Sequence, residues 1–64
     1  MDIKTADKLL KEGKKVLYNG KAYILKELII WYDIYKERRC SLFIKELNTN
    51  THYRVDIKQC EEIT

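Results

Sequence analysis

The chain has one histidine, two cysteines and two glycines among its 64 residues, and each scarcity removes a class of chemistry. An imidazole that acts as a base or a metal ligand needs partners, and His52 has neither a second histidine nor a suitably placed cysteine. Cys40 and Cys60 form no C-x-x-C pair, which excludes the common zinc and redox spacings; both read as small buried apolar residues. Gly13 and Gly20 cannot build a phosphate-cradling loop, which requires several glycines at fixed offsets. Ser41 lies between Cys40 and Leu42 without the sharp glycine turn that presents a nucleophile. Glu61 and Glu62 are adjacent, so their carboxylates point apart instead of sharing a cleft. So short a chain leaves little room for a substrate pocket. No enzymatic activity, catalytic residue, metal ion or cofactor is expected.

Long apolar runs are also missing. A membrane-spanning helix needs roughly 20 apolar residues, whereas the greasiest stretch, LIIWYDIY from Leu28 to Tyr35, is apolar or aromatic at seven of eight positions and carries Asp33. Asp2 and Lys4 follow Met1 at once, with no signal-like apolar region. These features predict no membrane association and a cytoplasmic location with reduced thiols. An excess of one charge is lacking too: thirteen Lys and Arg against ten Asp and Glu leave a net +3, with the signs interspersed. That is a solvated mixed-sign surface, compatible with nucleic acid but without a dense basic stripe.

What is present suits one small folded domain over residues 1–64, 45% apolar and 36% charged, whose size lets it hide about 60% of its unfolded surface. Ile3, Ala6 and Leu10, with Leu9 beside them, recur at helical spacing and predict a helix over about 3–12. Asp2 or Thr5 caps its start, Asp7 pairs with Lys11, and Gly13 takes the left-handed position that ends it. The period then changes. KVLY and KAYILKELII flank Asn19-Gly20, a pair suited to a two-residue hairpin because both turn positions require positive φ. After Lys36-Glu37-Arg38-Arg39, the segment CSLFIK alternates, with Cys40, Leu42 and Ile44 on one face and Ser41, Phe43 and Lys45 on the other. A tight turn at Asn48-Thr49-Asn50 leads to a fourth strand with Tyr53, Val55 and Ile57 opposite His52, Arg54 and Asp56. A helical turn or short strand closes the chain, with Cys60 and Ile63 facing inward. The fold class expected is mainly β, about five strands curled into a small, partly open barrel over about 15–63, with one short amino-terminal helix.

GKKVLYNGKAYIL, CSLFI and VDIKQCEEI together resemble the small SH3-like barrels often encoded by bacteriophages and other mobile elements of low-GC Gram-positive bacteria. The likeness covers about fifty residues, from Gly13 to Ile63. It implies that Val16 starts the first strand, that Tyr23 and Leu25 point into the barrel, and that a short turn near Gln59 to Glu62 precedes the last pairing. Such barrels bind proteins, DNA or RNA, so the resemblance does not choose among them.

The second strand, taken from Lys21 through about Trp31, places Ile24, Leu28 and Ile30 on one face and Tyr23, Leu25, Ile29 and Trp31 on the other. A bent strand shared between barrel halves and covered by the helix would bury Leu28 to Ile30. Trp31, Tyr32 and Tyr35 are harder to absorb, because Tyr32 to Arg39 must turn back at the surface. With Arg38 and Arg39 they form the candidate contact patch for a protein partner or a homodimer: rigid rings supply area and arginine supplies direction. Local packing and solvated charge are the competing account of the same residues. In the alternative, bases stack on the rings, Phe43 included, while Lys36, Arg38, Arg39, Lys45 and Arg54 track phosphates. Asp33, Glu37 and Glu46 interrupt that path.

Overall fold

The computed structural model describes residues 1–63. Helix α1 spans Ile3–Glu12, followed by strands β1 (Lys15–Tyr18), β2 (Lys21–Tyr32), β3 (Arg38–Lys45) and β4 (His52–Asp56), a single 3-10 turn (Ile57–Gln59) and strand β5 (Cys60–Glu62). All neighbouring strands are antiparallel, in the order β4-β3-β2-β1-β5. The mainly β fold class expected from the sequence is therefore present: five strands in one curled sheet, consistent with a small, partly open barrel, plus one helix.

Local chemistry explains the element boundaries. The Asp2 carboxylate accepts the Thr5 backbone N–H at 2.7 Å at the start of α1, and Gly13, at φ 67°, closes it by donating to the carbonyls of Leu9 and Leu10. Asp7 and Lys11 pair at 2.9 Å along its exposed side. Asn19 and Gly20 adopt φ values of 53° and 81°, the primed turn that lets β1 and β2 pair from Tyr18↔Lys21 to Lys15↔Ile24. The β3–β4 connection runs from Glu46 to Thr51, longer than the tight turn expected; its ends are tied by the Glu46 N–H to the Thr51 carbonyl at 3.0 Å.

Val16, Leu42, Ile44 and Cys60 are sealed completely, and Tyr23, Leu25, Val55 and Ile57 surround them. Ala6 and Leu9 of α1 close one side of this core, helped by Ile3 and Leu10. Both cysteines are buried and unbridged, and burial pushes both thiols above their ordinary pKa. Ile63, expected to face inward, is 46% exposed, because the last pairing ends at Val16↔Glu62 and nothing covers the residue beyond it. The helical turn before that pairing lies at Ile57–Gln59, not at Gln59 to Glu62, and Asp56 starts it by accepting the Lys58 N–H.

One irregularity sets everything downstream of it. β2 pairs with β3 as Leu25↔Ile44 and then as Glu27↔Phe43, so Lys26 is an extra residue, a β-bulge. The bulge flips the alternation of β2. Opposite residues of a ladder share a face, and Leu28↔Leu42 and Ile30↔Cys40 put Leu28 and Ile30 on the same inner side as Tyr23 and Leu25. The face assignment drawn from uninterrupted alternation, with Leu28 and Ile30 grouped with Ile24, is corrected accordingly. Leu28 packs against the core, whereas Ile30 is 45% exposed and so escapes the burial expected for it.

Candidate functional site

β1 accompanies β2 only as far as Ile24, and β4 accompanies β3 only from Ser41 onward. The ends of β2 and β3 therefore run on as a two-stranded ribbon beyond the barrel, an arm joined by residues 33–37. This arm accords with the long axis of the molecule, 37 Å against 22 and 20 Å. It carries a row of large apolar side chains in solvent: Trp31, Tyr32, Ile34 and Tyr35 are 39%, 67%, 88% and 77% exposed.

Asp33 organises the tip. Its Oδ1 accepts the backbone N–H groups of Tyr35 (2.8 Å) and Glu37 (3.0 Å), and its Oδ2 accepts Arg39 Nε at 2.9 Å. The backbone adds a bond from the Asp33 N–H to the Glu37 carbonyl and one from the Lys36 N–H to the Asp33 carbonyl. Lys36 completes the reversal in the left-handed region at φ 60°. These bonds, led by the Glu37 N–H and including the Arg39 guanidinium, hold the Asp33 carboxyl below its ordinary pKa. Asp33, read from the sequence as an interruption in an apolar run, is the residue that builds the turn. An Asx motif ahead of a polar cluster was the signal available for it.

The structure divides the sequence-derived patch. Trp31 and Arg39 are opposite one another on the outer face, Tyr32 and Arg38 on the inner face, and Tyr35 sits at the tip. Arg39 is occupied by Asp33 and, at 3.4 Å, by Glu37. Arg38 and Arg39 both border a depression of about 610 Å³ between β3 and the start of α1, alongside Met1, Ile3 and Ile57.

The outer face gathers a second group. Trp31 donates from Nε1 to Ser41 Oγ at 3.0 Å, which fixes the ring, and the Arg54 guanidinium lies 5.4 Å from the ring centroid. One step along, Phe43 and His52 stack with centroids 5.0 Å apart and planes 9° apart. Register makes Phe43 and His52 diagonal neighbours, because Phe43 opposes Arg54 and Lys45 opposes His52 across β3 and β4, whereas Trp31, opposite Arg39, meets Arg54 through the reach of two long side chains on the same face. Trp31, Phe43, Lys45 and Arg54 thus share one surface, from which Arg38 is excluded and Lys36 is separated at the arm's tip. His52 was not among the expected contact residues; only cross-strand register reveals its stack. Glu27 and Asp56 share this face and dilute its positive charge.

Among the described residues, no group of three or more His, Cys, Asp or Glu is placed to hold a metal ion, and no helix is long and apolar enough to cross a membrane. Comparison with protein-family models, with curated proteins and with solved structures found no match.

Proposed function

We propose that this chain is a non-catalytic binding module, of phage or mobile-element origin, that docks on a protein partner or on its own copy through the β2–β3 arm. The observation that carries this reading is the placement of Ile30, Trp31, Tyr32, Ile34 and Tyr35, all among the exposed large apolar side chains, on one projecting hairpin. Exposed apolar surface concentrated in one place is costly to a monomer and characteristic of contact surfaces. Tyr32 and Tyr35 serve as anchors, Trp31 is held ready by Ser41, and Arg38 supplies orientation. Arg39 supports the tip from within through Asp33. The test is a photo-crosslinking residue at position 35 in the full chain, compared with one at Lys14, in the link between α1 and β1. Protein adducts confined to position 35 are expected. Equal yields at both positions, or none, would overturn the reading.

The outer face favours a second reading, a single-stranded nucleic acid stacked along Trp31 and Phe43 with Lys45 and Arg54 at the phosphates. Titration with labelled oligonucleotides separates the two. Binding with a log-log salt slope of several units, lost in Trp31→Ala, supports the nucleic-acid reading; no binding at low salt removes it.

A further inference from the structure

The arm has an unpaired edge whose chemistry points to its occupant. Backbone groups of an antiparallel strand alternate in direction, one residue bonding to one neighbour and the next to the other. The Asp33 N–H bonds to the Glu37 carbonyl, so Trp31, Ile29 and Glu27, in phase with Asp33, direct their N–H and C=O groups at β3. Leu28, Ile30 and Tyr32 direct theirs the opposite way, toward the side that β1 has already left. No strand ladder, turn bond or side-chain bond among the described residues takes up those groups, and α1, which packs against β2, makes no hydrogen bond to them.

Natural edges are guarded by charge, proline or extreme shortness. The β4 edge carries His52, Arg54 and Asp56, and β5 is three residues long with Glu61 and Glu62. From Leu28 to Tyr32 the free edge of β2 has none of these guards: the sequence is LIIWY. The bulge at Lys26 and the turn at Asp33 limit the usable edge to the residues between them.

We infer that a second copy of this chain fills the edge, β2 pairing antiparallel with β2 about a two-fold axis at Ile30. A two-fold antiparallel ladder must place one residue opposite itself, and centring on Ile30 is the register that pairs every free group. Leu28 bonds to Tyr32 of the second copy, Ile30 to its own counterpart and Tyr32 to Leu28. Centring on Leu28 would run into the bulge and β1, and centring on Tyr32 would run into the turn. In the Ile30 register Ile29 also meets the other copy's Trp31 on the outer face, an apolar pair on each side of the axis. At each end Glu27 faces Asp33 of the other copy, whose carboxylate is already engaged by Arg39.

This inference rests on the arm as the docking surface and names its occupant. Light scattering and sedimentation of the full chain over a hundredfold range of concentration should show a monomer–dimer equilibrium. Ile30→Lys, at a half-exposed position, places like charges together on the axis and should weaken association at least tenfold. Amide exchange supplies the second readout. The N–H groups of Leu28, Ile30 and Tyr32 should exchange freely in dilute solution and become protected in the dimer, whereas those of Ile29 and Trp31 stay protected throughout. Isotope-filtered spectra of a mixed-label dimer should connect Ile29 Hα of one copy to Trp31 Hα of the other. A wild type monomeric at millimolar concentration, a dimer in which the Leu28, Ile30 and Tyr32 amides stay open, or unchanged association of a folded Ile30→Lys protein would each overturn it. A wild-type monomer that still forms position-35 adducts with another protein would overturn the strand-added dimer while leaving the docking reading intact.

Discussion

β2 and β3 form one continuous ladder, yet its two halves live in different surroundings. In the barrel half, Leu25 and Ile44 are opposed and buried; in the arm, Tyr32 and Arg38 are opposed and exposed. The residue types do not account for this, since Ile30 and Tyr32 are no less apolar than Leu25 and Tyr23. The difference is in the flanks: β1 and β4 close the barrel half, α1 and the 3-10 turn cap it, and beyond Ile24 and Ser41 the ribbon has lost its strand neighbours. Burial in so small a domain is decided by which strands stand alongside, and an apolar sequence that outruns them becomes surface.

The strongest way to break this comparison is to truncate one apolar side chain in each half. Leu42→Ala removes a fully buried side chain and is expected to cost about 2–5 kcal/mol in urea denaturation. Ile34→Ala at the tip should stay within about 0.5 kcal/mol. Similar costs would mean that the arm is packed in solution.

The two hairpin turns sharpen the contrast with smaller effects of opposite sign. A methyl group at Gly20 would meet nothing within 4 Å, yet φ there is 81°, so Gly20→Ala should lower stability by about 1–2 kcal/mol through the backbone alone. Lys36 holds φ 60° without being glycine, and Lys36→Gly should raise stability by less than about 1 kcal/mol. Thermal denaturation of the two variants checks both signs.

The smallest effects are local to the arm's tip and to the β3–β4 connection. The Asp33 pKa is depressed in the folded protein, chiefly by the Glu37 N–H and also by Arg39. A depressed carboxylate stabilises fully above its unfolded value, about 4, and the benefit fades as pH falls through the lower folded value. The protection factors of the Tyr35 and Glu37 amides, taken relative to unstructured-peptide exchange at each pH, should therefore fall below about pH 4, with a weaker response in Asp33→Asn, while those of the β1 amides stay unchanged over the same step. Glu46 is depressed too, by the Tyr53 hydroxyl and Thr49, so the β3–β4 connection should loosen in the same acid range.

The features legible in the sequence are those fixed by neighbours a few residues apart. Gly13 ends the helix, Asn19-Gly20 turns the first hairpin, and Cys40, Leu42 and Ile44 alternate inward, because each needs only local dihedral preferences or an unbroken period. Lys26 was not legible. A bulge is a property of two strands in register, and nothing in KELII marks which residue the partner skips. Missing it misplaced Leu28 and Ile30 and divided the candidate patch differently from the way the chain folds. The Trp31–Arg54 and Phe43–His52 pairs were hidden for the same reason, since each joins residues from different strands. Ring exposure at Tyr32 and Tyr35 was readable, because a chain reversing between two strands has nowhere to hide them.

The two ladders of β1 carry a consequence for the order of assembly. Its pairing with β2 closes a two-residue loop, whereas its pairing with β5 joins Leu17 to Glu61 and must wait for the chain between them to come together. Closure entropy grows with the span enclosed, and local contacts form ahead of distant ones. The barrel is thus fastened last by a three-residue latch, whose peg is the sealed thiol of Cys60. Until that peg seats, Val16 and Leu17 lack their β5 neighbour, and the nascent domain exposes at its seam the kind of apolar edge that the finished monomer keeps on its arm.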